Sequence, residues 1–238
     1  MSAEGSDAEV KGALDQLQDV RGNQMVLMET LEKRLGIPGG FFEALIGEPN
    51  DWAFIIKLAV LAEAAVTHAL VLHVKDDQLF EHFSNVANYR RLQLAVDLGI
   101  LDALDKNTLA ALAEVRNSFA HRVENLNGSL KMYFERCSPA KKVELLTKLV
   151  RLDGEMRPRE TDDFSHHAET FRIWLHLGSL RPLLSIATYG LETDKREAEK
   201  KQWSLSDLYT GKGALASLAS QVRKAGAGAE MYREKIIR

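Results

Sequence analysis

Residues 52–74 read WAFIIKLAVLAEAAVTHALVLHV, the one stretch of the chain apolar enough to resemble a membrane span. Its length fits either a helix that crosses a bilayer or a helix buried inside a bundle. Lys57 and Glu63 interrupt the run, and a charge near the bilayer centre costs roughly 2.5–3.5 kcal/mol. The charges therefore favour a buried bundle helix and a protein that has no membrane partner.

The rest of the chain has the pattern of α-helices. Apolar residues recur at spacings of three and four, prolines number only 5, and alternating strand patterns are hard to find. Besides the apolar helix, the pattern predicts helices over residues 8–35, 77–98, 108–123, 139–152, 165–189 and 204–238. The sequence therefore predicts an all-α fold.

Glycine and capping residues mark several of the predicted helix ends. The stretch GIPGG at 36–40 ends the first helix, and Asn50 or Asp51 caps the apolar helix that follows. Gly99 ends the helix over 77–98, and the polar residues 105–107 cap the next one.

These boundaries divide the chain into three segments. Residues 1–50 form an N-terminal helix that packs on the bundle, and residues 51–190 form the bundle itself. Residues 191–238 form a charged linker, in which acids and bases alternate over 192–201, and a C-terminal helical tail.

Composition limits the functional classes. The 238 residues carry a net charge of −3, which excludes a globally basic nucleic-acid binder but allows a local basic patch. A single cysteine, Cys137, forms no internal disulfide and no cysteine-based zinc site. The first residues have no basic segment followed by an apolar one, so we expect a cytoplasmic protein without a signal peptide.

One stretch combines residues that can do chemistry. Residues 114–122 read EVRNSFAHR, and Asn117 and His121 lie four apart, on one face of the predicted helix over 108–123. Arg116 is expected to project beside them. A histidine can move the proton of a ribose 2′-hydroxyl, and an arginine can stabilise the charge that grows on the phosphate. The patch therefore favours phosphodiester chemistry without a metal or cofactor.

The Arg-Asn-x3-His spacing resembles the signature of the HEPN superfamily. Its flanks, NYRRLQLAVDLGIL at 88–101 and LAEVRNSFAH at 112–121, are similar to the branch that contains the mannitol-operon repressor. The resemblance covers residues 51–126, about a third of the chain. It implies an antiparallel helical bundle with additional C-terminal helices.

The resemblance also implies a function. HEPN domains commonly form homodimers that bring two copies of the motif together in a cleft, and active members are metal-independent endoribonucleases that leave a 2′,3′-cyclic phosphate. Many of these are toxins or defence proteins. By this resemblance Arg116 and His121 are the catalytic pair, and Asn117 supports them. The expected partners are a second copy of the chain, RNA, and a cognate antitoxin or other regulatory protein.

Two alternatives remain open at this point. The repressor-like branch is regulatory, so the chain could instead be a non-catalytic module that binds a protein partner. The motif residues could also be structural: Arg116 or His121 could pair with Glu114 or Glu124, and Asn117 could bond a loop carbonyl.

The remaining candidate sites are weaker. We expect RNA phosphates to contact a basic surface near the motif, with Arg90, Arg91 and Arg122 as the predicted RNA-binding residues. The adjacent His166 and His167 would point about 100° apart on a helix. The sequence therefore predicts no metal site there.

Overall fold

The computed structural model describes residues 22–121, 125, 128–150 and 158–236, with side chains described as far as residue 201. Within these ranges the secondary structure is helical and contains no strand, which confirms the predicted all-α fold. The helices are α1 (22–34 in the described part), α2 (Phe41–Ala44), α3 (Asp51–Val74), α4 (Phe80–Asn85), α5 (Asn88–Asp97), α6 (Ala103–His121), α7 (Leu130–Arg136), α8 (Pro139–Val150) and α9 (Ser165–Ile236).

Helix α3 is the centre of the bundle. Twelve of its 24 residues are buried, and they are spread around the helix axis rather than confined to one stripe. It packs against α4, α5 and α6. Within the described ranges it is the one helix long and apolar enough to cross a membrane, but most of that apolar window is buried in the protein. Burial against other helices accounts for its apolar composition, because each large apolar side chain that leaves water contributes about 1.5–3 kcal/mol.

Two of the predicted helix ends are confirmed. The Asn50 side chain caps α3 by accepting a hydrogen bond from the Ala53 N–H at 3.0 Å. Gly99 follows α5 in the left-handed conformation, with φ of 70°, which a residue with a side chain adopts only at a cost.

The predicted start of α6 was wrong. The helix begins at Ala103, where the Asp102 carboxylate accepts the Asp105 N–H at 2.6 Å. Asp105, which we expected in the cap before the helix, lies inside its first turn, is 2% exposed and accepts a hydrogen bond from the Ser185 hydroxyl at 3.0 Å.

The single helix predicted over 77–98 was also wrong. The structure has a 3-10 turn at Asp77–Leu79, then α4 and α5, which are separated by extended backbone at Val86. The apolar residues Phe83 and Leu92 are nine apart, a spacing that puts them on opposite sides of a continuous helix. The break after α4 allows both to pack against the core.

Helix α7 was not predicted. It spans only seven residues, too few for a periodic pattern to stand out, and its start is capped by Ser129, whose hydroxyl accepts the Met132 N–H at 3.1 Å. Leu130 and Phe134 are buried in the core and hold it in place.

Helix α9 continues through the stretch 192–201 that the sequence marked as a charged linker, so the predicted interruption was wrong. The acids and bases there fall at helical spacing, and Arg196 pairs with Glu192 one turn earlier at 3.2 Å. Such pairs stabilise an exposed helix by about 0.3–0.5 kcal/mol each. Tertiary contacts divide the chain into two compact units, Met1–Leu191 and Glu192–Arg238, and the candidate site lies in the first.

The N-terminal helices pack on the bundle in their described part. Met28 and Leu31 of α1 and Phe42 of α2 belong to the common core. Residues 1–21 of the predicted N-terminal segment lie outside the described residues, as do residues 151–152 at the predicted end of α8.

The loop between α1 and α2 is held by buried polar groups. The Glu32 carboxylate, 1% exposed, accepts hydrogen bonds from the backbone N–H groups of Gly40 at 2.7 Å and Phe42 at 2.8 Å. The Phe42 ring stacks on His176 of α9 at 4.1 Å, and the Phe42 carbonyl accepts from His176 Nε2 at 2.7 Å. Burial lowers the pKa of His176, although this hydrogen bond partly opposes the effect.

The burial of His176 makes the free energy of unfolding depend on pH. His176 binds a proton less readily in the native state than in the unfolded chain, so acid favours unfolding. We expect the free energy of unfolding to be constant above the unfolded pKa of 6.5 and to fall as the pH drops through the lowered native pKa. Urea denaturation at several pH values measures this fall in the free energy of unfolding. The range from about pH 7 to pH 5 is the informative one, because the ordinary pKa of histidine lies there. His176→Gln should flatten this dependence and the exposed His82→Gln should keep it; an unchanged slope in His176→Gln contradicts the assignment.

Helices α8 and α9 approach closely at Gly178. A Cβ added there would lie 2.8 Å from the backbone oxygen of Leu149, whereas a Cβ at Gly190 meets only the flexible end of Arg34 at 3.3 Å. Position 178 therefore has room only for glycine, because the Leu149 carbonyl is part of the backbone of α8 and cannot move aside as a flexible side chain can.

The two glycines give a matched pair of variants. Gly178→Ala should lower the free energy of unfolding by about 1 kcal/mol, because overpacking costs about 1–3 kcal/mol and exceeds the roughly 1 kcal/mol gained in helix propensity. Gly190→Ala should be neutral or stabilising. Urea unfolding measures the free energy of unfolding of both variants. If the two values were equal, α8 would move away from the added methyl group at no cost, and the requirement for glycine at position 178 would be contradicted.

Candidate functional site

The motif residues lie near the C-terminal end of α6. Val115 and Phe119 are fully buried, and this burial fixes how the helix is rotated in the bundle. The same rotation leaves Asn117 and His121 exposed and Arg116 half-buried. The helix therefore presents the three predicted catalytic residues to different surroundings.

Asn117 and His121 line an open cleft of about 560 Å³ between α6, α7 and the first turn of α8. Glu114 lies on the same face of α6, three residues before Asn117. Because residues 114, 117 and 121 follow the helical spacing, they form one wall of the cleft. The complete set of lining residues is Glu114, Asn117, Ser118, His121, Asn125, Tyr133, Arg136, Cys137 and Lys141.

Arg116 does not line this cleft. It forms an ion pair with Glu63 of α3, and the other oxygen of the same carboxylate lies 3.5 Å from Arg91 of α5. Arg116 and His121 are five residues apart, which puts them about 140° apart around a helix. Within one chain, the structure brings Asn117 and His121 together and leaves Arg116 at the interface of α3, α5 and α6.

The predicted RNA-binding residues are also separated. Arg91 is 7% exposed and donates to the Thr67 hydroxyl at 2.7 Å, so it belongs to the interior network around Glu63. Arg90 is exposed and lies over the Tyr89 ring at 5.7 Å, beside a different groove. Arg122 lies outside the described residues. The structure therefore shows no single basic surface formed by Arg90 and Arg91.

Two residues give the cleft a rigid floor. The Tyr133 ring of α7 packs between Phe119 at 5.8 Å and Phe171 at 6.2 Å. Asn125, 5% exposed, donates to the backbone oxygen of Ser118 at 3.0 Å and to its hydroxyl at 3.1 Å. The Tyr133–Phe119 contact packs the end of α6, which carries His121, against α7, and the Asn125 side chain is bonded to the same end of α6.

The two cationic side chains of the cleft differ in whether they have acidic partners. Lys141 pairs with Glu114 at 2.6 Å and with Glu144 at 2.8 Å. Burial opposes its charge, but the two carboxylates outweigh burial and raise the pKa of Lys141, so it remains a cation. Arg136, at the end of α7, has no side-chain partner among the described residues.

Cys137 also lines the cleft, but as a thiol. Burial raises its pKa, and this effect exceeds the opposing influence of the neighbouring Tyr133 carbonyl and Lys141. A protonated thiol is a poor nucleophile, so the arrangement does not favour thiol chemistry.

Sequence reasoning missed most of the cleft outside α6. Tyr133 lies in α7 and Cys137 is its C-terminal cap. The short helix gave no periodic signal, although a spacing of four puts the two residues on one face once the helix is known. Arg136 and Lys141 were expected from the sequence only as part of a possible basic surface beside the motif. Among the described residues there is no group of three or more histidine, cysteine, aspartate or glutamate side chains placed to hold a metal ion.

In comparisons with known proteins, no family model, no curated protein and no solved structure matches this chain.

The different positions of Arg116 and His121 predict different effects on stability. Arg116→Ala removes a partner from the half-buried Glu63 carboxylate and should lower the free energy of unfolding by about 1–2 kcal/mol. His121→Ala should change it by less than about 0.5 kcal/mol, because the side chain is exposed and has no partner among the described residues. Urea denaturation measures both values. An Arg116→Ala variant with the free energy of unfolding of the wild type would contradict the structural role of the ion pair.

Proposed function

We propose that the protein is a cytoplasmic, metal-independent endoribonuclease of the HEPN type, of the toxin, defence or RNA-processing kind, that acts as a homodimer. The observation that carries the proposal is the position of His121 and Asn117 on the wall of an open cleft that also contains Arg136 and Lys141. A proton-transfer group and a cation can support cleavage of a phosphodiester without a metal, and an amide can orient them.

The proposed reaction uses the 2′-hydroxyl of RNA as the nucleophile. The 2′-oxygen forms a bond to phosphorus, the bond to the 5′-oxygen of the next nucleotide breaks, and a 2′,3′-cyclic phosphate remains. His121 takes the proton of the 2′-hydroxyl or supplies one to the leaving 5′-oxygen, and water exchanges the other proton, since imidazole exchanges protons near neutral pH. Asn117, one turn earlier on the same face, orients the imidazole or the phosphate.

Arg116 has a different role in this proposal from the one that the resemblance implies. Its guanidinium is occupied by Glu63, so within one chain it acts as a positioning residue that fixes α6 against α3. The proposal includes a homodimer because His121 is exposed in the single chain, and a second copy over the cleft would exclude water from the reaction.

One observation favours a second candidate function. The same Arg116–Glu63 pair removes from the cleft the arginine on which the catalytic motif depends. In the second candidate the bundle is a non-catalytic regulatory or protein-interaction module, similar to a transcriptional regulator, that binds a protein partner. The motif then serves the architecture of the bundle.

Cleavage of a mixed RNA pool in the presence of EDTA separates the two functions. We expect the wild-type protein to cut RNA and to leave cyclic-phosphate ends, and His121→Ala to be slower by about 100-fold or more, the usual contribution of a proton-transfer residue. The exposed His82→Ala, which lies outside the cleft, is the matched control and should cut like the wild type.

Sedimentation and circular dichroism show whether each variant is folded and dimeric. Intact RNA after incubation with a folded, dimeric wild-type protein would exclude the nuclease and leave the regulatory module. Equal cleavage by wild type and His121→Ala would remove His121 from the mechanism.

A further inference from the structure

The cationic side chains near the motif differ in whether a carboxylate already neutralises them. Arg116 and Arg91 share Glu63, and Lys141 lies between Glu114 and Glu144. Arg136 lines the cleft, is exposed, and has no carboxylate partner among the described residues. An anion that enters the cleft therefore meets the guanidinium of Arg136 as a positive charge that no described acidic side chain neutralises.

We infer that Arg136 is the phosphate-binding residue of this cleft, and that it holds a backbone phosphate of single-stranded RNA beside His121. The inference deepens the proposed function: its catalytic part rests on that proposal, whereas its binding part does not. It moves the phosphate-binding role from Arg116, on the motif itself, to a residue on the next helix.

The position of Arg136 on α7 supports this role. Tyr133, Arg136 and Cys137 follow one another at spacings of three and one, and all three face the cleft. On the other side of the helix Phe134 is fully buried and Leu130 is 1% exposed, so the base of the arginine is fixed. A rigid attachment reduces the entropy lost when the side chain binds a ligand.

The chemistry of arginine matches the ligand. Its planar guanidinium presents paired N–H groups that bind two phosphate oxygens at once, and it stays charged at any relevant pH. Lys141 lies in the same cleft, but its charge is shared by two carboxylates, so it contributes less to the local potential. The formal charges of Glu114, Arg136 and Lys141 leave the lining of the cleft with one net positive charge.

Single-stranded RNA fits the shape of the cleft. The cavity of about 560 Å³ is open to solvent on one side, large enough for about one nucleotide unit and continuous with the exposed His121. A flexible single strand can bend so that one phosphate enters such a cleft. A duplex is stiff and presents its phosphates on a regular outer surface, so it fits the cleft less well.

The test measures binding without cleavage. The probe is a short, fluorescent 2′-O-methyl RNA oligonucleotide, which lacks the nucleophilic hydroxyl and stays intact. Fluorescence anisotropy at several salt concentrations gives the dissociation constant and its salt dependence. The variants are Arg136→Ala, Arg136→Lys and Arg159→Ala; Arg159 is an exposed arginine outside the cleft and serves as the matched control.

We expect Arg136→Ala to weaken binding by about tenfold and to reduce the slope of log K against log salt by about 0.7, the value for one lost contact to a single strand. Arg136→Lys should keep the slope, because it keeps the charge, and Arg159→Ala should match the wild type. A merely structural role of Arg136 would leave the slope unchanged. Circular dichroism shows that the variants are folded.

The outcomes separate this inference from the proposed function. Binding by Arg136→Ala with the wild-type constant and slope overturns the inference, whether or not the protein cuts RNA. Failure of the folded wild-type protein to bind the oligonucleotide overturns it as well. Wild-type protein that binds through Arg136 but does not cut RNA supports the inference and excludes the nuclease.

Discussion

The fold depends on one constraint: half of the residues of α3 are buried, so the carboxylates that lie where α3 packs against other helices need partners inside the protein. Glu63 meets this need by binding one arginine from α5 and one from α6, and Asp51 meets it by accepting the Leu130 N–H at 2.7 Å and pairing with Arg172 at 2.9 Å. The carboxylates of the central helix thereby connect it to four other helices, α5, α6, α7 and α9. The apolar surface of α3 provides most of the stability, and its two carboxylates fix the contacts of α3 with these four helices.

The sequence was sufficient for features that depend on local chemistry. The Asn50 cap, the left-handed Gly99 and the apolar stripe that buries Val115 and Phe119 follow from the residues themselves. It was insufficient where tertiary contacts decide. The buried Asp105 bonds Ser185, which is 80 positions away, and α7 is stabilised by the core rather than by its own seven residues.

The difference between local pattern and tertiary contact also explains which parts of the candidate site the sequence predicted. That Asn117 and His121 share a face follows from their spacing of four, and that Arg116 does not share it follows from the five residues that separate Arg116 from His121. The carboxylate that binds Arg116 is 53 positions earlier in the chain, so no local pattern reveals it. The second wall of the cleft comes from α7 and α8, beyond the motif. A motif therefore identifies one helix of a site, and the neighbouring helices determine which of its residues are available for chemistry.

The cleft contains the single cysteine of the chain. Cys137 lies beside Arg136 and is half-buried, so a small thiol-reactive fluorophore would label one position of the protein without any substitution. Because burial raises the pKa of the thiol, its labelling rate would rise with pH as the thiolate forms. A molecule that occupies the cleft would slow that reaction, and the native chain thus carries its own chemical reporter of occupancy.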